Sequence, residues 1–345
     1  MKVAPVMVAL DSHLTCSQRL VHTGQHYDVN MSDVFFQQLG LPQPDVSLEV
    51  GSGSHAVQTA QTMIRFEAVV EADRPDLVLV YGDVNSTIAA TLVCAKLHIP
   101  VGHVEAGLRS FDRTMPEEIN RVVTDQMADL LFTSSPEGKP NLLREGIAPE
   151  AIYHVGNVMI DTLVRLLPLA QLPQVDALAS RYALVTLHRP SNVDDEAMLR
   201  RLMTTLQEVS EQLQVVFPIH PRTRVRLQTF DVTVVNDERM LLLEPLGYLE
   251  FLALQRQARF VITDSGGVQE ESTYLQVPCL TVRANTERPI TVDMGTNVLV
   301  GQDMGRLRAE VDRILAGTFK TGMIPKLWDG RAGERIADVL GRWQR

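Results

Sequence analysis

The segment Asp264-Ser265-Gly266-Gly267-Val268-Gln269-Glu270-Glu271 joins two glycines, which let backbone approach a ligand, to the start of a helix. Helix N-termini present unpaired N–H groups and a positive dipole, so a phosphate suits this turn. Glu271 stands too near such an anion to bind it and suits a ribose hydroxyl instead; the plain alternative is a tight strand-to-helix turn. The segment His103-Val104-Glu105-Ala106-Gly107-Leu108-Arg109 follows an apolar run, which puts Glu105 at a strand end, where open α/β sheets bind ligands. In Thr114-Met115-Pro116-Glu117-Glu118-Ile119-Asn120-Arg121, Pro116 starts a helix that carries Glu117 and Arg121 four residues apart. Taken locally, Thr114 and Glu117 form a capping box and Glu117 with Arg121 an ordinary surface pair. Density argues for chemistry: Asp83, Glu105, Glu117 and Glu118 gather around adjacent strand ends. Neighbouring carboxylates raise one another's pKa, so acid and base roles become available together.

His188, in Thr186-Leu187-His188-Arg189, ends another strand and suits either a proton shuttle or a diphosphate leaving group, with a simple strand-end histidine as the alternative. His220 is a weaker case of the same kind, and Thr286-Glu287-Arg288-Pro289 offers charge for a phosphate or a salt bridge. The run Gly51-Ser52-Gly53-Ser54-His55-Ala56 matches a dinucleotide fingerprint, but the strand before it is half polar at Ser47 and Glu49. That fingerprint requires a central buried strand, so no nicotinamide cofactor is expected. No metal-ligand spacing and no Gly-x-Ser-x-Gly elbow occur.

These residues need a scaffold, and two blocks supply one rhythm of strand, turn and helix. Residues 76–81 form a strand, 82–83 its turn, 86–97 a helix and 101–104 the next strand; residues 260–263, 264–267, 268–275 and 279–282 repeat the pattern. Continuous β-branched runs between helices imply parallel sheets covered on both faces. The fold class expected is therefore α/β, with two Rossmann-like, doubly wound parallel-sheet domains. Residues 1–166 form the first, joined by a C-terminal helix over 332–345, and 175–331 the second. The break in periodicity at 166–174, with Pro168 and Pro173, marks the linker. Ile336, Val339, Leu340 and Trp343 make one apolar stripe on the terminal helix. The 345 residues carry 42 acidic and 32 basic side chains, a formal charge of −10 that disfavours nucleic acid and anionic membrane. No apolar run is long enough to span a bilayer. The three cysteines, Cys16, Cys94 and Cys279, lie far apart among apolar residues and read as thiols of a cytoplasmic protein.

Together the motifs resemble the non-hydrolysing UDP-N-acetylglucosamine 2-epimerase family, with matching stretches at 22–28, 81–87, 103–109, 116–121, 186–189, 264–271 and 286–289 in the family's order. The resemblance implies a GT-B-like pair of domains, an active site in the interdomain cleft, a homodimer and no cofactor or metal. It implies that UDP-GlcNAc and UDP-ManNAc interconvert by loss of the C2 proton, elimination of UDP and re-addition. It places Asp83, Glu105, Glu117, Arg121 and His188 in the catalytic set. The UDP-sugar contacts it implies are Lys2, Phe251, Ser265, Gly266, Gly267, Glu271 and Arg288, and it marks Gln25 and His26 as a possible allosteric pair. Family members open with a strand and a Gly-Thr-Arg-Pro-Glu-type loop; here Met1 and Lys2 match the stretch just after that loop, so the first sheet is expected to lack that strand. Leu246 stands where a glutamine is common beside the uridine, and Asp28 departs from the allosteric pattern. Related outcomes are a hydrolysing 2-epimerase, a UDP-2,3-diacetamido-uronate 2-epimerase, or a GT-B glycosyltransferase, the last having no need of the carboxylate cluster.

Overall fold

A computed structural model describes residues 1–24, 42–234 and 236–343. Gln25 and His26 lie outside the described residues. The chain divides into two compact units, Met1–Arg165 with Lys326–Arg345, and Leu166–Pro325.

In the first unit β1 (Val21–His22) and β2 (Val46–Ser47) form a short parallel ladder. A separate four-stranded parallel sheet runs β3 (Val78–Tyr81), β4 (Val101–Ala106), β5 (Leu130–Thr133) and β6 (Ile152–His154). The continuous apolar runs give β4 and β5 no exposed residue, as a sheet covered on both faces demands. One covering layer joins Leu48 of the β1–β2 side to Phe66, Val70, Val80, Val93 and Val101. The glycine run at 51–53 leads from the two-residue β2 into the helix His55–Ala72, whose N-cap Ser54 accepts a hydrogen bond from Val57 N at 3.3 Å. It is a capped helix start beside a short strand, not the central turn of a dinucleotide fold.

The terminal helix Ala332–Arg342 packs on the helix Val3–His13, with Ile336 and Ala337 against Val6, Ala9 and Leu10. Buried Asp161 anchors it by accepting Ala332 N at 3.0 Å and Gly333 N at 2.7 Å. Asp161→Ala leaves two buried donors unpaired, and a loss of about 1–3 kcal/mol is expected in urea denaturation.

After a 3₁₀ turn at Leu167–Leu169, no regular element occurs until β7 (Tyr182–Thr186). The second unit continues with β8 (Gln214–Pro218), β9 (Met240–Leu243), β10 (Phe260–Thr263), β11 (Cys279–Thr281) and β12 (Asn297–Leu299). Its six parallel strands lie in the order β12-β11-β10-β7-β8-β9. The chain moves outward one way from β7 and then the other way from β10, so the order reverses between these neighbours. Diverging loops at such a reversal leave a crevice at the carboxyl ends of the strands. His188 follows β7 there, and Asp264 to Gly267 follow β10.

Candidate active site

The first unit gathers its charged residues at the carboxyl ends of β3 and β4. The β4–β5 register pairs Val104 with Phe132 but Ala106 with Thr133, leaving Glu105 as an extra residue. Its φ of 78° puts a side-chain-bearing residue in the left-handed region. Such strain costs roughly 1–3 kcal/mol, and a bulge of this kind re-aims one side chain. Glu105 is 6% exposed, and Lys2 Nζ donates to its Oε2. Gly82, at φ 70°, lies beneath that pair: a Cβ there would stand 2.7 Å from Lys2 Nζ and 3.4 Å from Glu105 Oε2. A side chain there would push the Lys2 tip aside, and the positive φ favours glycine.

Asp83 follows directly, ion-paired to Arg121 of the helix Pro116–Met127. Asn120 of the same helix donates to the Asp83 carbonyl at 2.9 Å. The expected surface pair between Glu117 and Arg121 does not form. Arg121 is buried and bonds Glu118 and Asp83 instead. Nor does the capping box form, because Met115 is the N-cap and the Thr114 hydroxyl donates to Asp112 Oδ1 at 2.6 Å. Glu118 also accepts Ser110 N, Ser110 Oγ and Phe111 N, each at 2.9 Å, so it serves the loop after β4. Half-buried Glu117 has no hydrogen bond or ion pair among the described residues, which keeps its carboxylate available for chemistry.

The second unit centres on Asp264, a residue the motif contained but whose role it concealed. Its fully buried carboxylate accepts His188 N at 3.1 Å, Arg189 N at 2.9 Å and Asn192 Nδ2 at 3.0 Å, and stands 3.1 Å from His188 Nδ1. Burial pushes this carboxyl upward, but His188, Asn192 and the Arg189 N–H outweigh that and hold it below the usual range. An ionised Asp264 only accepts, so His188 carries its hydrogen on Nδ1 and turns Nε2 away.

Ser265, Gly266 and Gly267 begin the helix Gly266–Leu275 and are half-buried. Arg288 lies over the turn: a Cβ on Gly266 would meet Arg288 Nη1 at 2.6 Å. Arg288 is paired to Glu287 and stands 2.9 Å from Glu270, while Glu287 also accepts Arg283 at 2.7 Å. Burial raises the Glu287 carboxyl, but Arg288 and Arg283 together bring it well below the ordinary carboxylate range. Deeper in the helix, buried Glu271 accepts the Tyr248 hydroxyl at 2.8 Å. Burial raises the Glu271 carboxyl to about 7, against the Tyr248 hydrogen bond and with Glu270 adding to the rise. Phe251 lies one turn along the helix Tyr248–Gln257, partly buried beside Leu246 on one apolar layer.

The first unit thus joins Lys2, Asp83, Glu105 and Arg121, with Glu117 on the same helix as Arg121. The second joins His188, Ser265, Gly266, Gly267, Glu271 and Arg288, with Phe251 on the helix that delivers Tyr248. Sequence reasoning missed Glu118, Asn120, Tyr248 and Asp264 as partners; of these only Tyr248 lay outside the recognised motifs.

The family model for UDP-N-acetylglucosamine 2-epimerase matches residues 8–341. A UDP-N-acetylglucosamine 2-epimerase of Methanocaldococcus jannaschii is 43% identical, over 98% of this chain and 95% of the relative. A UDP-2,3-diacetamido-2,3-dideoxy-D-glucuronate 2-epimerase of Pseudomonas aeruginosa is 39% identical, over 99% and 96%. The crystal structure of a Methanocaldococcus jannaschii UDP-GlcNAc 2-epimerase, in complex with UDP-GlcNAc and UDP, superposes with a TM-score of 0.90 at 41% identity, covering 99% of this chain and 96% of that one. The two parallel-sheet units are accordingly the Rossmann-like pair of a GT-B-like fold. A match this extensive, on a scaffold that carries the motifs at its strand ends, places the chain in the UDP-N-acetylglucosamine 2-epimerase family.

Proposed function

We propose that this chain interconverts UDP-GlcNAc and UDP-ManNAc by eliminating UDP and adding it back. The observation that carries the reading is Glu105: a bulged, strained, cation-paired carboxylate beside a second carboxylate, Asp83, that holds a buried arginine. Removing an unactivated C2 proton needs a closely placed base, and returning a proton to the other face needs a second group. Glu105, Asp83 and Glu117 supply such a set, and Lys2 and Arg121 pair with two of them. As the C2–H bond breaks, its electrons form the C1=C2 bond of a 2-acetamidoglucal and the C1–O bond releases UDP. The departing diphosphate gains charge, which the N–H groups at Ser265–Gly267, Arg288 and His188 are suited to stabilise. Re-addition at C1, with a proton delivered to C2, completes the inversion without net redox change.

Incubation with UDP-GlcNAc tests the outcome. UDP-ManNAc as the accumulating product supports the reading; free ManNAc with UDP would make the chain a hydrolysing epimerase, and sugar transfer a glycosyltransferase. The Pseudomonas aeruginosa relative supports one second reading, a diacetamido-uronate substrate. A competition assay with both UDP-sugars decides between them by kcat/KM. A homodimer acting in the cytoplasm fits the same reading, and among the described residues no helix is long and apolar enough to cross a membrane.

Glu271 gives a pH dependence with a definite sign. A ribose hydroxyl donates to the ionised carboxylate, and that form is scarce below pH about 7 because burial raises the group. Affinity for UDP-GlcNAc, whose diphosphate stays fully ionised here, is therefore expected to rise between pH 6 and 8, with a proton released on binding. Titration calorimetry in buffers of different ionisation enthalpy reads that proton directly. Tyr248→Phe removes a hydrogen bond that lowers the group, so the rise should shift to higher pH.

A further inference from the structure

One buried titratable group is used by no step above. His103, on β4, is fully buried, and both of its ring nitrogens meet acceptors. Nδ1 lies 2.6 Å from Asp125 Oδ1 and Nε2 lies 2.9 Å from the Gly82 carbonyl. A carbonyl has no hydrogen to give, so Nε2 carries one. The other Asp125 oxygen already takes Gly107 N at 3.1 Å and Arg109 Nη2 at 2.7 Å, both obligate donors. An ionised Asp125 then requires a hydrogen on Nδ1 as well. Two hydrogens on one ring make an imidazolium.

We propose that His103 is a charged positioning residue: an imidazolium, donating from both ring nitrogens, that holds the Gly82–Asp83 turn from behind. The inference rests on the epimerase reading for its consequence, though not for its charge state. The charges that face the ring are few and balanced. Asp125 comes from the helix Pro116–Met127, and Arg109 from the loop after β4; Glu145, at the end of the helix Gly138–Arg144, accepts Arg109 Nε at 2.8 Å. Beyond the Gly82 carbonyl lie the Lys2–Glu105 and Asp83–Arg121 pairs, and neighbouring Tyr81 on β3 is a neutral phenol, which burial pushes above its ordinary pKa. Burial raises the Asp125 carboxyl, while His103 and Arg109 outweigh it and hold the group below its usual range. A buried cation is tolerable only where a carboxylate and a second acceptor saturate it, and both are present. Gly82 is fixed from its other side too, its N–H donating to the Val104 carbonyl at 3.1 Å. The turn that carries Asp83 is therefore clamped between β4 backbone and a β4 side chain.

The test begins with the whole wild-type protein, ¹⁵N-labelled at histidine. Both His103 ring nitrogens should show protonated shifts in the folded protein at neutral pH; a neutral ring there overturns the proposal. Two variants then test the consequence. His103→Gln offers Gly82 a neutral donor, and Asp125→Asn lets the native ring lose its proton. In each, UDP affinity should stay within about threefold, while kcat falls by roughly 10–100-fold through misplacement of Asp83 and Glu105. A folded variant with the wild-type kcat, or one whose UDP affinity falls as far as its kcat, would overturn the positioning role. A wild-type protein that turns over no UDP-GlcNAc would instead defeat the epimerase reading, and the ring-nitrogen spectrum would still decide the charge.

Discussion

Glu105→Gln should abolish exchange of the C2 proton of UDP-GlcNAc while leaving UDP affinity within a few-fold. The amide matches the carboxylate in size and can still meet Lys2, but it has no basicity to offer the C2–H bond. Proton transfer by a positioned group is worth about 10²–10⁴-fold, and in the proposed reaction both the elimination and its reverse depend on it. A loss of roughly 10³-fold or more in kcat is therefore expected, read by NMR exchange or by product formation. The proposed diphosphate contacts sit on other residues, so UDP titration is the control. If affinity and exchange fell together, Glu105 would be holding the fold rather than doing chemistry. The strained φ of 78° makes that control necessary, since the residue is also part of a bulge.

Asp264→Asn is the second large effect. Asp264 is fully buried and accepts from two backbone N–H groups, the Asn192 amide and His188. An amide in its place points at least one N–H at another donor, and removing a buried charged partner commonly costs about 3–5 kcal/mol. His188 loses the acceptor that sets its tautomer, so Nε2 no longer presents the form that the proposed role at the departing diphosphate requires. A comparable substitution behind a catalytic histidine costs up to about 10⁴-fold in kcat, in an enzyme where that histidine is the base. In the proposed reaction His188 shares the leaving group with Arg288 and a helix N-terminus, so roughly 10²–10³-fold is expected. Thermal unfolding and kcat should fall together, whereas His188→Gln should lower kcat with little change in stability. Equal stability of Asp264→Asn and wild type would contradict the role assigned to Asp264.

Much of this architecture could be read before any coordinates. The strand at residues 260–263 and the helix after it follow from a β-branched run, two glycines and an apolar period, all local signals. The same is true of the strand that delivers Glu105. What sequence did not carry was which side of an element meets a distant partner. Glu117 and Glu118 are adjacent on one helix, and only the placement of that helix against the loop after β4 turns Glu118 inward to Arg121 and Ser110. The Asp264–His188 contact spans 76 residues and the His103–Asp125 contact 22, distances over which periodicity says nothing. Tyr248 reaches Glu271 from a different helix, with no motif to announce it. Residue types and strand ends were legible, and partnerships were not, because tertiary packing chooses them.

The most direct test of the account is the fate of the C2 hydrogen in D₂O. Wild-type protein given UDP-GlcNAc should yield UDP-ManNAc carrying deuterium at C2, with deuterium also entering the recovered UDP-GlcNAc pool as re-addition runs both ways. UDP-ManNAc formed with its original hydrogen retained at C2 would show that no carboxylate removes that proton, and would contradict the roles given to Glu105, Asp83 and Glu117.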